Sequence, residues 1–142
     1  MPFRFIDDAP TADIGFVATG ATLEECFAAA ADATLAAMLN NTDTLRRREQ
    51  YPFTVEADSV ELALLKMLEE IVYYKDARGL FLAATEMHVG HEDRWTVTGT
   101  LEGEPIDPDR HELAHDVKAV TMHRLQVDHT DNGWEASVVL DV

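Results

Sequence analysis

The apolar residues of this chain change period at Leu80. Before that point two long segments repeat them at helical spacing; after it, apolar and polar residues alternate. Alternation places successive side chains on opposite faces of a strand, whereas Leu23, Phe27, Ala30 and Met38 share one helix face. Thr22 and Glu25 have capping-box spacing at the start of the first helix. Asp58 and Glu61 repeat that spacing before a second helix through Leu65, Leu68, Ile71 and Val72, with Gly79 as its stop. Phe3 to Ile6 and Ile14 to Ala18 read as short strands around the polar turn DDAPTAD, and YPFTVEAD as another. Four more follow: LFLAATEMHVG, RWTVTGTL, VKAVTMHRLQVDHT and GWEASVVLDV. The expected fold is α+β: a two-layer α/β sandwich, two main helices packed on a largely antiparallel sheet, ending in a C-terminal β-hairpin. Partly segregated helices and strands, with no G-x-G-x-x-G or G-x-x-x-x-G-K, exclude a doubly wound nucleotide-binding fold.

Such a sandwich fits one domain spanning 1–142, and 46% hydrophobic residues supply its core. No apolar run approaches the ~18 residues of a membrane span. The opening MPFRFIDDAP has acids where a signal peptide needs an apolar core. Cys26, the single cysteine, lies in an alanine-rich helix and suits packing in a reducing cytoplasm. The net charge of −16 disfavours strong direct binding to nucleic acid. Arg46-Arg47-Arg48, the one basic run, reads as a solvated loop, so any role in RNA biology is expected to be indirect.

Two short patterns suggest metal chemistry. His111, Glu112 and His115 match H-E-x-x-H, in which two histidines on one helix face hold zinc and the glutamate activates water. A small zinc-dependent hydrolase is therefore the rival reading. Its context is poor: Pro105 and Pro108 lie just upstream and a β-branched strand begins at Val117, leaving about two helical turns. DHTDNG resembles a calcium loop but has Thr130 at the third position and Val139 at the twelfth, where an acid should close the site. No G-x-S-x-G elbow is present, and Cys26 has a helical setting unlike that of a nucleophile.

The last two strands bring acids together. Asn132-Gly133 favours a two-residue type I′ turn, which pairs Asp131 with Trp134. That register sets Val127 opposite Val138, Leu125 opposite Leu140, Arg124 opposite Asp141 and His123 opposite Val142. Asp141 and the carboxylate of Val142 would then offer hard oxygens to Ca²⁺, Mg²⁺ or Mn²⁺, given one more acid. An ordinary Arg124–Asp141 ion pair explains the same spacing.

Several stretches, in order, resemble the archease family. TADIGFVATGATLEECFAAAADATLAAM is similar to its N-terminal signature, VKAVTMH to its [IV]-K-A-[VI]-T-Y-H strand, and Trp134, Ala136, Val139, Asp141 and Val142 to its C-terminal ending. GLFL and GEPID…RHE fall in the expected places. The resemblance implies a non-enzymatic activator of an RtcB-type RNA ligase in tRNA splicing or RNA repair, promoting guanylylation of the ligase and its multiple turnover. It also implies a divalent metal, Ca²⁺ in vitro with Mg²⁺ or Mn²⁺ as alternatives, held by Asp13, Asp141 and the terminal carboxylate of Val142. Lys118, Thr121, His123 and Arg124 would then shape a ligase-facing tip; Thr121 and His123 could equally face the core. The chain departs from the family's D-H-T-A-D, with Ala9-Pro10 in place of Asp-His and acids at Asp7-Asp8, and from T-Y-H, with Met122 for tyrosine.

Overall fold

A computed structural model describes residues 2–6 and 13–142. The order is β1 (Phe3–Ile6), β2 (Ile14–Gly20), α1 (Leu23–Met38), β3 (Glu49–Ala57), α2 (Val60–Arg78), β4 (Leu80–His91), β5 (Trp95–Pro105), β6 (Ala119–Thr130) and β7 (Gly133–Asp141). The α+β class and its two helices are as expected. The strands form two antiparallel sheets, ordered β1-β2-β7-β6 and β3-β5-β4. α1 packs on β2 and β4, and α2 on β6, β4 and β3, so each helix touches both sheets. This explains why α1 buries alanines around most of its circumference, among them Ala29, Ala30, Ala31, Ala33 and Ala37. A single-faced helix would need only a stripe. Among the described residues no helix is long and apolar enough to cross a membrane.

The helix starts follow their caps. Thr22 Oγ1 accepts from the Glu25 amide at 3.1 Å, while Glu25 reaches back to the Ala21 amide at 2.9 Å. At α2 the cap is Ser59, which accepts from the Leu62 amide at 3.1 Å, and not Asp58. Asp58 instead pairs with Arg94 at 3.2 Å, and Glu61 accepts from the Val127 amide at 3.3 Å. Gly79 ends α2 in the left-handed conformation, φ 63°.

The C-terminal hairpin forms, but in a different register. Thr130 pairs with Gly133, so Asp131 and Asn132 make the turn, and Val127 pairs with Ala136. Neither turn residue has positive φ; Gly133, at 131°, carries it. A Cβ there would lie 2.3 Å from the Gly20 carbonyl oxygen, so the approach of the β2 end fixes this glycine. Further along, Thr121 pairs with Val139 and Gln126 with Ser137, so 122–125 bulge out of β6 opposite a single residue of β7. Asp141 therefore pairs with Ala119, and the expected Arg124–Asp141 and His123–Val142 pairings do not occur.

Candidate functional site

The end of the β1-β2-β7-β6 sheet gathers the acids singled out in the sequence. Asp13 immediately precedes β2, whose first residue Ile14 pairs with Leu140; Asp141 is the next residue of β7. Asp13 and Asp141 thus lie one step beyond the last registered pair of adjacent strands, with Val142 following. Asp13, Asp141 and Val142 are all half-buried. On the other side of β7, the Lys118 amide donates to the Asp141 carbonyl at 2.8 Å. All the candidate donors are hard oxygens, a chemistry that fits Ca²⁺, Mg²⁺ or Mn²⁺ and not a thiolate- or imidazole-seeking ion. Two aspartates fall short of a full cage: among the described residues no three His, Cys, Asp or Glu side chains gather as a metal site. Main-chain oxygens, water or a partner's groups would have to complete the coordination.

The expected tip residues lie on β6 and just before it, Lys118 next to Asp141 and the 122–125 bulge opposite Val138. Thr121 Oγ1 donates to the Val139 carbonyl at 3.1 Å and accepts from the His123 amide at 3.3 Å, so its hydroxyl is used to hold the bulge. His123 is exposed and does not face the core. Arg124 has a φ of 57°, uncommon for a residue with a side chain, and it has an interaction partner of its own. Lys118 is exposed at the start of β6. Met122, which stands where T-Y-H has tyrosine, is left 67% exposed by the bulge, an exposure that strand alternation did not foretell. Asp7, Asp8, Ala9 and Pro10, where the chain departs from D-H-T-A-D, lie outside the described residues.

The zinc arrangement is not formed. Residues 111–115 are not helical; they run along the end of α1, where the amides of Ala114 and His115 donate to the carbonyls of Met38 and Ala37 at 2.8 and 2.9 Å. These bonds satisfy carbonyls that a helix end leaves open. His111 is buried: its Nδ1 accepts from the Asp107 amide at 2.9 Å, and its Nε2 meets Glu104 Oε2 at 3.0 Å. The hydrogen therefore sits on Nε2 and both ring nitrogens are occupied. His115 is exposed. Glu104 also accepts from the Arg46 amide at 2.7 Å and from the Arg110 guanidinium. Burial pushes its carboxyl up, but these bonds outweigh it and hold the pKa at about 2. Sequence reasoning passed over Glu104; the clustering of GEPID and RHE around one loop was the available signal.

Cys26 is fully buried, its Sγ 3.6 Å from the Ala18 carbonyl, and burial and then Glu135 push its thiol up to about 11. It is a packing residue.

The Archease protein family (MTH1598/TM1083) matches the chain over residues 3–142. The Protein archease of Pyrococcus furiosus is 34% identical over 134 residues, covering 93% of this chain and 94% of that relative. The Protein archease of Methanopyrus kandleri is 33% identical over 143 residues, the full length of both. The solution structure of Methanobacterium thermoautotrophicum protein 1598 superimposes with a TM-score of 0.84 at 31% identity, covering 99% of each chain. A Thermotoga maritima structure described as an archease and possible chaperone shares the fold at a TM-score of 0.63 and 19% identity, over 94% of this chain and 93% of its own.

Proposed function

The chain belongs to the archease family, and from that premise we propose that it is a metal-binding accessory protein that activates an RtcB-type RNA ligase in the cytoplasm. It joins no RNA itself; it promotes guanylylation of the ligase and lets the ligase turn over repeatedly. Asp13, Asp141 and the terminal carboxylate of Val142 hold a divalent cation, and Lys118, Thr121, His123 and Arg124 shape the tip that meets the ligase. When bound, the cation supplies local positive charge at the end of a chain whose net charge is −16. The single observation that carries this reading is the strand register, in which Ile14 pairs with Leu140 and so sets Asp13 and Asp141 one step beyond it at the same end of the sheet. The exposed β6 bulge beside them favours a contact surface over a pocket for a small substrate.

The test is a ligation time course with the ligase limiting over RNA ends, with and without this protein. Wild type should convert a single round into many. Asp13→Ala and Asp141→Ala should abolish that stimulation while leaving the thermal transition cooperative. Full stimulation by either variant at equal concentration would overturn the metal assignment.

A further inference from the structure

We propose that the last turn of α2 carries a second docking contact, in which Arg78, held against Tyr51 and Tyr74, receives a carboxylate of the protein partner. This rests on the ligase reading above and adds a place where the ligase is gripped beside the metal-bearing end.

Arg78 is exposed, and its guanidinium carbon lies 5.4 Å from the Tyr51 ring centroid and 5.8 Å from that of Tyr74. The two rings lie 4.9 Å apart, and Tyr73, 55% exposed, packs edge-on against Tyr74 at 5.5 Å. The Tyr51 hydroxyl is anchored on Glu49. The rings seat the guanidinium without using its donors: among the described residues Arg78 has only these ring contacts, with no hydrogen bond or ion pair from its side chain. A cation in the last turn suits the helix dipole, which accounts for its position. It does not account for a planar fork of five donors seated over two rings and left open. That arrangement is prepaid for a bidentate oxyanion, because the ordering cost of binding is reduced.

The surroundings favour a protein carboxylate over a phosphate backbone. One turn back, Lys75 is spent on Asp76 and Asp116, at 2.5 and 2.6 Å. Arg47 meets Glu102 at 3.6 Å. These pairings neutralise Lys75 and the middle arginine of the 46–48 run, and the net charge of −16 opposes a polyanion. A fixed arginine among tyrosines is instead the composition of a protein-interface anchor. The same turn adjoins the metal-bearing end: Lys75 Nζ donates to the Val117 carbonyl at 2.5 Å, and Lys118 follows in sequence, its amide on the Asp141 carbonyl. One partner can therefore reach both.

The experiment measures binding of the purified RtcB-type ligase to the full chain by interferometry at fixed salt, alongside stimulation at saturating protein. Arg78→Ala should weaken binding at least tenfold, Arg78→Lys should fail to restore it, and stimulation at saturation should match wild type. Tyr73→Ala should weaken binding in the same direction. Ligase affinity within twofold of wild type for Arg78→Ala, beside normal stimulation, overturns this contact alone. A wild-type chain that binds no ligase overturns the functional reading and the contact together. If Arg78→Ala leaves ligase binding intact but abolishes binding to a single-stranded RNA oligonucleotide, the occupant is RNA and the carboxylate assignment is wrong.

Discussion

Glu104 and His111 show how much a residue's neighbours decide its chemistry. In sequence His111 has the spacing of a zinc motif, while Pro105, Pro108 and the strand from Val117 favour an exposed connecting turn; neither reading foresees that it is buried. In the fold its nitrogens are taken by Asp107 and Glu104, so the choice falls to a carboxylate seven residues earlier. Acids with this kind of buried role are poorly legible in sequence, because nothing local distinguishes them from the many solvated acids of this chain. The buried carboxylate has a consequence for pH. Its folded pKa, about 2, lies below the ordinary 4.5, so its contribution is complete above 4.5 and is lost as pH falls toward 2. Glu104→Gln breaks a buried charged cluster and should cost about 3–5 kcal/mol near neutral pH. Urea midpoints for the two proteins should be far apart at pH 7 and converge as pH falls below 4. Equal midpoints at pH 7 would show that the cluster contributes nothing.

At the scale of elements, helices and strands follow directly from periodicity, while their ends and registers do not. Asp58 and Ser59 are both good caps, and the choice between them depends on where β3 ends, at Ala57 opposite Trp95. The hairpin turn moved off Asn132-Gly133 because Gly133 is needed where β2 passes close by, a tertiary demand invisible to a local turn rule. Between Gln126 and Thr130 that move changes pairing by two positions and keeps each side chain on its expected face, so the alternation gives no warning of it. The bulge over 122–125 shifts pairing by a further three, so the buried positions pass from Val127 to Val120, an odd step that breaks the alternation and was its one signal in the sequence. The cap assignment can be tested directly. Ser59→Ala removes the bond to the Leu62 amide and should cost about 1 kcal/mol in chemical denaturation. Asp58→Ala removes only an exposed pairing with Arg94, and should cost less than about 0.5 kcal/mol. The reverse order would return the cap to Asp58.

For the whole molecule, the order of elements was legible, but the division of the strands into two sheets was not, because alternation describes each strand's faces and not its neighbours. Net charge is a property at this scale too. Sixteen excess negative charges repel one another in the folded state, and raising NaCl from 0.1 M to 1 M shortens the screening length from about 10 to about 3 Å. Thermal stability should rise with NaCl as that repulsion is screened. A specific cation site adds something that ionic strength does not: binding to the folded form alone stabilises by about 2.7 kcal/mol when the ligand is at 100 times its dissociation constant. Calcium or manganese at millimolar concentration should therefore raise the melting temperature above an NaCl control of equal ionic strength. Asp141→Ala should erase that increment. A short Gly-Ser extension after Val142 should reduce it, because the terminal carboxylate becomes a neutral amide carbonyl, a weaker donor for a hard cation. A tag of equal length before Met1 should leave the increment intact. If the C-terminally extended protein kept the full divalent increment, the Val142 carboxylate would hold no metal, and coordination would have to rest on Asp13, Asp141 and the main chain around them.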